Sequence, residues 1–182
     1  MLRKQITVAK LKPTISLTTS SLKMKAGQST TAFKAAGLAK GDYVTKVTSG
    51  NTGIVKVSSV TKKGTFRLTA GKKAGSTTVK VILASKKSAS FKVTVQRGVV
   101  KTSKITVSTK SVTLKKGTTY RKLASSVKVT PVTSQEKVTY TSSNKKIVTV
   151  TSGGVIKGLK KGTATITIRS GSKRTTCKVT VK

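Results

Sequence analysis

Four short blocks of this sequence occur twice, in the same order, roughly ninety positions apart. Residues 15–27 match residues 105–117 without a gap, and the apolar positions and the final glycine coincide. The other matched blocks are 49–57 with 142–150, 71–81 with 158–168, and 91–95 with 177–181. Ordered repeats of this kind predict two copies of one domain. We place the boundary near residues 96–103 and expect domains at 1–97 and 98–182.

Within each copy, apolar and polar residues alternate with a period of two. In the second copy, threonine separates Ile166 from Ile168, and single polar residues separate Cys177, Val179 and Val181. This alternation is typical of a half-buried antiparallel strand, and the β-branched residues that dominate it favour strands. Short clusters of Gly, Ser, Asn and Lys separate the runs and predict turns. Each copy is therefore predicted to be a β-sandwich or barrel.

The second copy also carries a series of motifs in a fixed order over nearly all of residues 103–182. They are Ile105-Thr-Val, Val112-Thr-Leu-Lys-Lys-Gly, Val129-Thr-Pro, Val138-Thr-Tyr-Thr-Ser-Ser-Asn, Ile147-Val-Thr-Val, Gly154-Val-Ile-Lys-Gly and Lys161-Gly-Thr-Ala-Thr-Ile. With these motifs it resembles the bacterial immunoglobulin-like domain of group 2. That domain type is found in invasin- and intimin-like adhesins, bacterial surface proteins and some phage virion proteins.

The first copy departs from this pattern at two places. It has no equivalent of the Val129-Thr-Pro motif, and Val47 stands where the second copy has Tyr140, the usual aromatic position of the family. The resemblance implies an all-β fold of two tandem immunoglobulin-like antiparallel β-sandwiches. It also implies a spacer, adhesive module or decoration without catalysis, and such a domain type constrains architecture more than biology.

The charge of the chain is extreme. Lysine and arginine total 39, the acidic residues are Asp42 and Glu136 alone, and the formal net charge is +37. Self-repulsion of this size opposes a compact state unless anionic surroundings relieve it, and solubility needs a net charge of only about 2–8 in a small domain. The basic residues are spread evenly over both copies among alternating apolar runs. This indicates the surface of a folded body and not a disordered basic tail.

Six lysine pairs fall at predicted turns and are the candidate polyanion contacts. They are Lys62, Lys63, Lys72, Lys73, Lys86, Lys87, Lys115, Lys116, Lys145, Lys146, Lys160 and Lys161. One interpretation is that they keep the surface soluble and protect sheet edges from pairing. We favour the other, in which they collectively bind an acidic protein surface or an anionic polymer such as a cell-wall polymer, a glycan or nucleic acid. Few arginines and no tryptophan argue against base-specific recognition.

The residues that catalysis requires are nearly absent. The chain has no histidine, and Asp42 and Glu136 lie in different copies, so general acid–base catalysis is not expected. Cys177 occupies an inward strand position that Phe91 fills in the first copy, which favours core packing. No ligand set for zinc or calcium exists. A Lys–Asn isopeptide bond assisted by Glu136 is not expected, and the glycines of 158–162 precede a strand, which favours a turn over a phosphate-binding loop.

These features predict a non-enzymatic structural or adhesive module without cofactors, displayed outside the bacterial cytoplasm on a cell surface or a phage virion, as part of a larger assembly. The N-terminal residues 1–13 have no apolar run long enough for a signal peptide. We therefore expect either a signal removed from this chain or release by another route, and no membrane span. The alternative is an intracellular, non-specific nucleic-acid-binding protein. One cysteine excludes an intrachain disulfide.

Overall fold

The computed structural model describes residues 14–182 and divides into two compact units. Unit 1 ends at Arg97, and unit 2 comprises Gly98–Lys182. Residues 1–13, the segment considered for a signal peptide, lie outside the described residues. Within residues 14–182, no helix is long and apolar enough to cross a membrane.

Unit 1 contains nine β-strands among its described residues. They are β1 (Ser16–Leu17), β2 (Ser21–Lys25), β3 (Ser29–Thr30), β4 (Ala35–Ala36), β5 (Val44–Ser49), β6 (Val55–Ser58), β7 (Arg67–Ala70), β8 (Gly75–Leu83) and β9 (Ser88–Gln96). They form a four-stranded sheet in the order β2-β9-β8-β5, a three-stranded sheet in the order β3-β7-β6, and the short pair β1-β4.

Unit 2 has the same arrangement. Its strands are β10 (Lys104–Val107), β11 (Ser111–Leu114), β12 (Thr119–Tyr120), β13 (Val127–Thr130), β14 (Val138–Ser142), β15 (Val148–Val150), β16 (Ile156–Gly158), β17 (Gly162–Ser170) and β18 (Lys173–Val181), with a 3-10 turn at Ala124–Ser126. The sheets are β11-β18-β17-β14, β12-β16-β15 and β10-β13. Each sheet of unit 1 is reproduced when every strand number is raised by nine. The predicted fold, two tandem immunoglobulin-like β-sandwiches, is confirmed.

One strand pair in each unit runs parallel, although the sequence predicted antiparallel sheets. β2 pairs with β9, and β11 pairs with β18, in parallel register. Antiparallel neighbours can be joined by a tight hairpin, whereas parallel neighbours need a long connection. In each unit the paired strands are the second and the last, which are separated by most of the unit, so no hairpin dictates their relative direction.

Alternation along the strands places one hydrophobic core in each unit. In β8, for example, Val79, Val81 and Leu83 are buried while Thr78 and Lys80 are exposed. The unit 1 core includes residues of both the four-stranded and the three-stranded sheet, and so does the unit 2 core. Each unit is therefore a sandwich in which the inner faces of the four-stranded and three-stranded sheets pack against each other.

Phenylalanine rings build the fully buried core of unit 1, whereas the aromatic residues of the unit 2 core, Tyr120 and Tyr140, pack against it from partly buried positions. The ring centroid of Phe33 lies 3.9 Å from that of Phe91 and 5.7 Å from that of Phe66. Phe91 lies opposite Val79, and Cys177 takes the same ladder position opposite Ile166 in unit 2. Unit 2 contains no phenylalanine, so no phenylalanine stack forms around this position.

The family's aromatic position is replaced in unit 1 from another strand. Val47 and Tyr140 hold the same position on β5 and β14, and by strand register Phe66 corresponds to Gly154. A Cβ added to Gly154 would lie 3.0 Å from Cζ of Tyr140. The Tyr140 ring thus fills space beside Gly154 in unit 2, whereas Phe66 contributes the ring in unit 1. This exchange accounts for the missing aromatic at Val47.

Candidate polyanion-binding surfaces

All twelve lysines of the six candidate pairs are exposed, and every pair lies in a connection between two strands. Those connections are β6–β7, β7–β8, β8–β9, β11–β12, β14–β15 and β16–β17. The prediction that the pairs lie in turns is confirmed. Which of them lie together depends on which strands end at the same edge of a unit.

Three of the pairs meet at one end of unit 2, which we call the unit 2 loop end. It carries Lys115, Lys116, Lys145, Lys146, Lys160 and Lys161. The amide of Gly117 donates to the carbonyl of Gly158 at 2.8 Å, and the amide of Leu159 donates to the carbonyl of Ile147 at 2.8 Å. Backbone hydrogen bonds therefore join the three turns directly, because β11, β14 and β16 all end at this edge.

Lys182, which follows β18, adds a seventh lysine to the unit 2 loop end. Its amide donates to the carbonyl of Leu114 at 2.9 Å, and its carbonyl accepts from the amide of Lys116 at 3.2 Å. The acid of unit 2, Glu136, precedes β14, whereas the lysine turn follows that strand. The loop end thus has no acidic side chain of its own unit to neutralise it.

The β14–β15 turn holds its lysines on a fixed backbone. The side-chain oxygen of Asn144 accepts from the amide of Lys146 at 3.0 Å, and its carbonyl accepts from the amide of Val148 at 3.0 Å. Asn144 and Glu136 lie beyond opposite ends of β14, so the carboxyl considered for an isopeptide bond is not beside this asparagine. The asparagine positions the turn.

Two further pairs, Lys62-Lys63 and Lys86-Lys87, lie at one end of unit 1. The amide of Val44 donates to the carbonyl of Lys62 at 3.1 Å, and Nζ of Lys62 lies 5.3 Å from the centre of the Tyr43 ring. The adjacent Asp42 carboxylate accepts from the hydroxyl of Ser85, in the β8–β9 turn, at 2.6 Å. This hydrogen bond is the main reason that the pKa of Asp42 is lowered; desolvation acts in the opposite direction, and hydrogen bonds from the amides of Ser85 and Tyr43 lower the pKa further. An ionised acid therefore lies among these lysines.

The remaining pair, Lys72-Lys73, lies at the opposite end of unit 1. The amide of Gly71 donates to the carbonyl of Ile54 at 2.8 Å, which joins this turn to the β5–β6 turn. The β5–β6 turn, which corresponds to the β14–β15 turn of unit 2, carries Asn51 and Gly53 and no lysine. From the sequence alone, the twelve lysines form one set of candidate contacts. Within each unit the structure separates them into local groups, of which the unit 2 loop end is the largest.

A buried polar cluster at the other end of unit 2 has no counterpart in the sequence prediction. The hydroxyl of Thr102 lies 2.8 Å from that of Ser134 and 2.6 Å from that of Ser170, and the amide of Thr102 donates to the Glu136 carboxylate at 2.7 Å. Thr102 and Ser170 are buried. Satisfied buried hydrogen bonds of this kind fix local geometry, so Glu136 joins the start of unit 2 to the β13–β14 loop.

Sequence reasoning also missed a pair of arginines. Arg169 of β17 and Arg174 of β18 are directly opposite each other, and both are exposed. The hairpin turn at Gly171 and Ser172 would have revealed them, since residues equally far from a two-residue turn become cross-strand partners.

The position of Cys177 agrees with the predicted core role. Its side chain is fully buried. Burial raises the pKa of the Cys177 thiol, and the charge of Lys110 acts more weakly in the opposite direction. Since the thiolate is the reactive form, a buried thiol with a raised pKa is protected twice.

We therefore expect Cys177 in the native protein to react with an aromatic disulfide reagent at pH 7.5 at least about a thousandfold more slowly than in the unfolded chain, because reaction requires opening of unit 2. Reaction at the rate of a small-molecule thiol would contradict this. The denatured protein supplies the reference rate.

No group of three or more His, Cys, Asp or Glu residues that could hold a metal ion occurs among residues 14–182.

Comparison with protein families connects unit 2 with a known domain type. Residues 101–181 match the family model of the bacterial Ig-like domain, group 2. The match confirms the resemblance of the second copy and covers less than half of the chain. No characterised protein sequence matches significantly.

Several solved structures match the chain at low sequence identity. Domains 5-6 of the S-layer protein SbsC are 22% identical, with 92% of this chain and 96% of that chain covered and a TM-score of 0.44. The S-layer protein rSbsC(31-844) is 23% identical over 82% of this chain, with a TM-score of 0.39, and the match spans 22% of its length. A GH10 xylanase from termite gut that contains a bacterial Ig-like domain is 22% identical over 39% of this chain and 18% of its own length, with a TM-score of 0.34.

Proposed function

We propose that this protein is a non-enzymatic structural and adhesive module that is displayed outside the bacterial cytoplasm and holds an anionic polymer through lysine-bearing turns. The observation that carries the proposal is the unit 2 loop end, where three lysine pairs and Lys182 share one surface without an acidic neighbour in that unit. The group 2 match of residues 101–181 supports a surface context.

The turns suit a contact surface because their backbones are held while the lysine side chains are free to extend. Hydrogen bonds between the β11–β12, β14–β15 and β16–β17 turns fix the spacing of the three pairs. Lysine is a compact point charge on a flexible stem, which neutralises a polyanion without demanding one ligand geometry. Such a surface binds by charge density, not by recognition of one small molecule.

The proposal predicts binding that salt abolishes. A protein that neutralises about six to ten phosphates loses roughly 10³- to 10⁵-fold in affinity between about 50 and 200 mM salt, because binding releases condensed counterions. We expect the purified chain to bind immobilised cell-wall polymer at 50 mM sodium chloride and to elute well before 200 mM. The measurement is the binding constant at four or more salt concentrations.

Two controls separate this function from others. Binding to a neutral polysaccharide of the same length should be undetectable at 50 mM salt. Retention on the charged polymer that salt does not weaken would overturn the proposal. Co-purification with nucleic acid at physiological salt, together with protection from nuclease, would instead favour an intracellular nucleic-acid-binding protein.

A further inference from the structure

The outward face of the four-stranded sheet in unit 2 is polar throughout, and it is distinct from the loop end. Side chains on β17 and β18 alternate between the buried core and this face. The residues that point outward are Ser111, Thr113, Thr139, Thr141, Thr163, Thr165, Thr167, Arg169, Arg174, Thr176, Lys178 and Thr180. The outward strand positions of this face therefore carry hydroxyls and three cations and no acid or aromatic ring, and the Glu136 carboxylate lies beside the hairpin turn at Gly171.

Two of those cations are placed where they repel each other. Arg169 and Arg174 form a direct cross-strand pair, so their Cβ atoms are about 4.5–5.5 Å apart and like charges at this spacing are destabilising. Unit 1 has Ile82 and Ser88 at the corresponding positions of β8 and β9, which are themselves partners. The arginine pair is thus a feature of unit 2 and not a requirement of the fold.

The hydroxyls continue from the arginine pair in regular rows across the sheet. Thr139 lies opposite Arg169 on the outer strand, and its hydroxyl donates to the Arg169 carbonyl at 3.5 Å. The next row joins Thr141, Thr167 and Thr176. Neighbouring strands are about 4.7–4.9 Å apart and successive outward residues of one strand about 6.6–6.8 Å apart, so hydroxyl donors and acceptors follow the cations at regular intervals.

We propose that the Arg169–Arg174 pair binds a phosphate group of a polyol- or sugar-phosphate polymer, whose hydroxyl-bearing units lie along the threonine rows. Two guanidinium forks facing one anion match phosphate oxygens in bidentate geometry, and the anion removes their mutual repulsion. This inference rests on the proposed function and names the polymer class that the module holds.

The composition of the face decides between polymer classes. Proteins that hold single-stranded nucleic acids stack bases on aromatic side chains, and no aromatic residue points outward from this sheet. Threonine hydroxyls both donate and accept hydrogen bonds, as the hydroxyls of a polyol or sugar do. Charge complementarity and hydrogen-bonding capacity together fit a polyol or sugar phosphate.

The test variant keeps a positive charge at both positions but replaces the bidentate guanidinium groups with lysine ammonium groups. We expect R169K/R174K to bind a glycerol-phosphate polymer at least about tenfold more weakly than the wild-type chain at 50 mM salt, since it exchanges bidentate charge-assisted hydrogen bonds for point charges. The matched control is R67K/R121K, which makes the same change at two exposed arginines outside this face and should bind as the wild type does. Equal binding by the two variants overturns the inference.

A second measurement is independent of the polymer. A ligand that binds only the folded state raises its stability, so inorganic phosphate should raise the unfolding temperature of unit 2 more in the wild type than in R169K/R174K, relative to chloride at equal ionic strength. Equal shifts also overturn the inference. Failure of the wild type to bind any polyanion at 50 mM salt would instead remove the proposed function. Tighter binding of DNA than of the glycerol-phosphate polymer, at equal phosphate concentration, would overturn the choice of polymer.

Discussion

Replacing Phe91 with alanine is expected to destabilise unit 1 by about 3–5 kcal/mol. The Phe91 ring is buried, stacks on Phe33 at 3.9 Å and lies 6.3 Å from the Phe66 ring. Truncation would remove one member of this stack and leave a cavity between the sheets. A loss of this size approaches the whole stability of a small domain, which is about 5–15 kcal/mol.

The measurement is native-state amide hydrogen exchange of β8 and β9. At about 1.4 kcal/mol per tenfold change, their exchange should accelerate by roughly a hundred- to a few-thousandfold. The matched control is Cys177→Ala, which alters the same ladder position in unit 2 and should accelerate exchange in β17 and β18 by much less, since cysteine is small. Unchanged exchange in β8 and β9 of the Phe91→Ala protein would contradict the described core.

The long hairpins of the two units could be predicted from sequence because their signal is local. The alternation in β8, β9, β17 and β18 extends over nine residues each, and a period of two specifies both the strand and its buried face. The ordered repeat blocks then supply the second unit. These two signals are enough for the fold class.

The pairing of short and distant strands could not be predicted in the same way. β1, β3 and β4 are two residues long, too short to show a period. The parallel pairs join the second and last strands of each unit, which no local signal connects. The exchange of Val47 and Phe66 for Tyr140 and Gly154 involves two strands at once, so a comparison of single positions registers only the missing aromatic.

The candidate polyanion contacts also divide into features that local sequence predicts and features that depend on strand topology. Exposure and turn position of the lysine pairs follow from residue type and from neighbouring glycine, serine or asparagine, and both were predicted. Their grouping at the unit 2 loop end depends on three strands that end at one edge, which is a property of topology. The cross-strand pairing of Arg169 with Arg174 is an intermediate case. It follows from the hairpin register, but only after the position of the turn is known.

The second large effect concerns the unit 2 loop end. Glutamine at its six paired lysines should weaken binding of a glycerol-phosphate polymer by roughly a hundredfold or more at 50 mM salt, because six counterion-releasing contacts are lost. The variant is K115Q/K116Q/K145Q/K146Q/K160Q/K161Q. These side chains are exposed, and exposed substitutions usually change stability by less than about 0.5 kcal/mol each, so the fold should persist.

Unit 1 offers a control with the same change in net charge. The variant K62Q/K63Q/K72Q/K73Q/K86Q/K87Q also removes six lysines from exposed turns, but it takes them from two opposite ends of the unit. If only total charge mattered, the two variants would bind equally. The proposed surface predicts that the unit 1 variant retains most of the wild-type affinity.

The salt dependence of binding tests this account most directly. Each contact with a single-stranded polyanion contributes about 0.7 to the slope of log affinity against log salt concentration. We predict that the slope of the unit 2 variant is shallower than that of the wild type by roughly 4, at about 0.7 for each of the six contacts, while the slope of the unit 1 variant changes little. Equal slopes for the two variants would show that no single surface holds the polymer and would contradict the account.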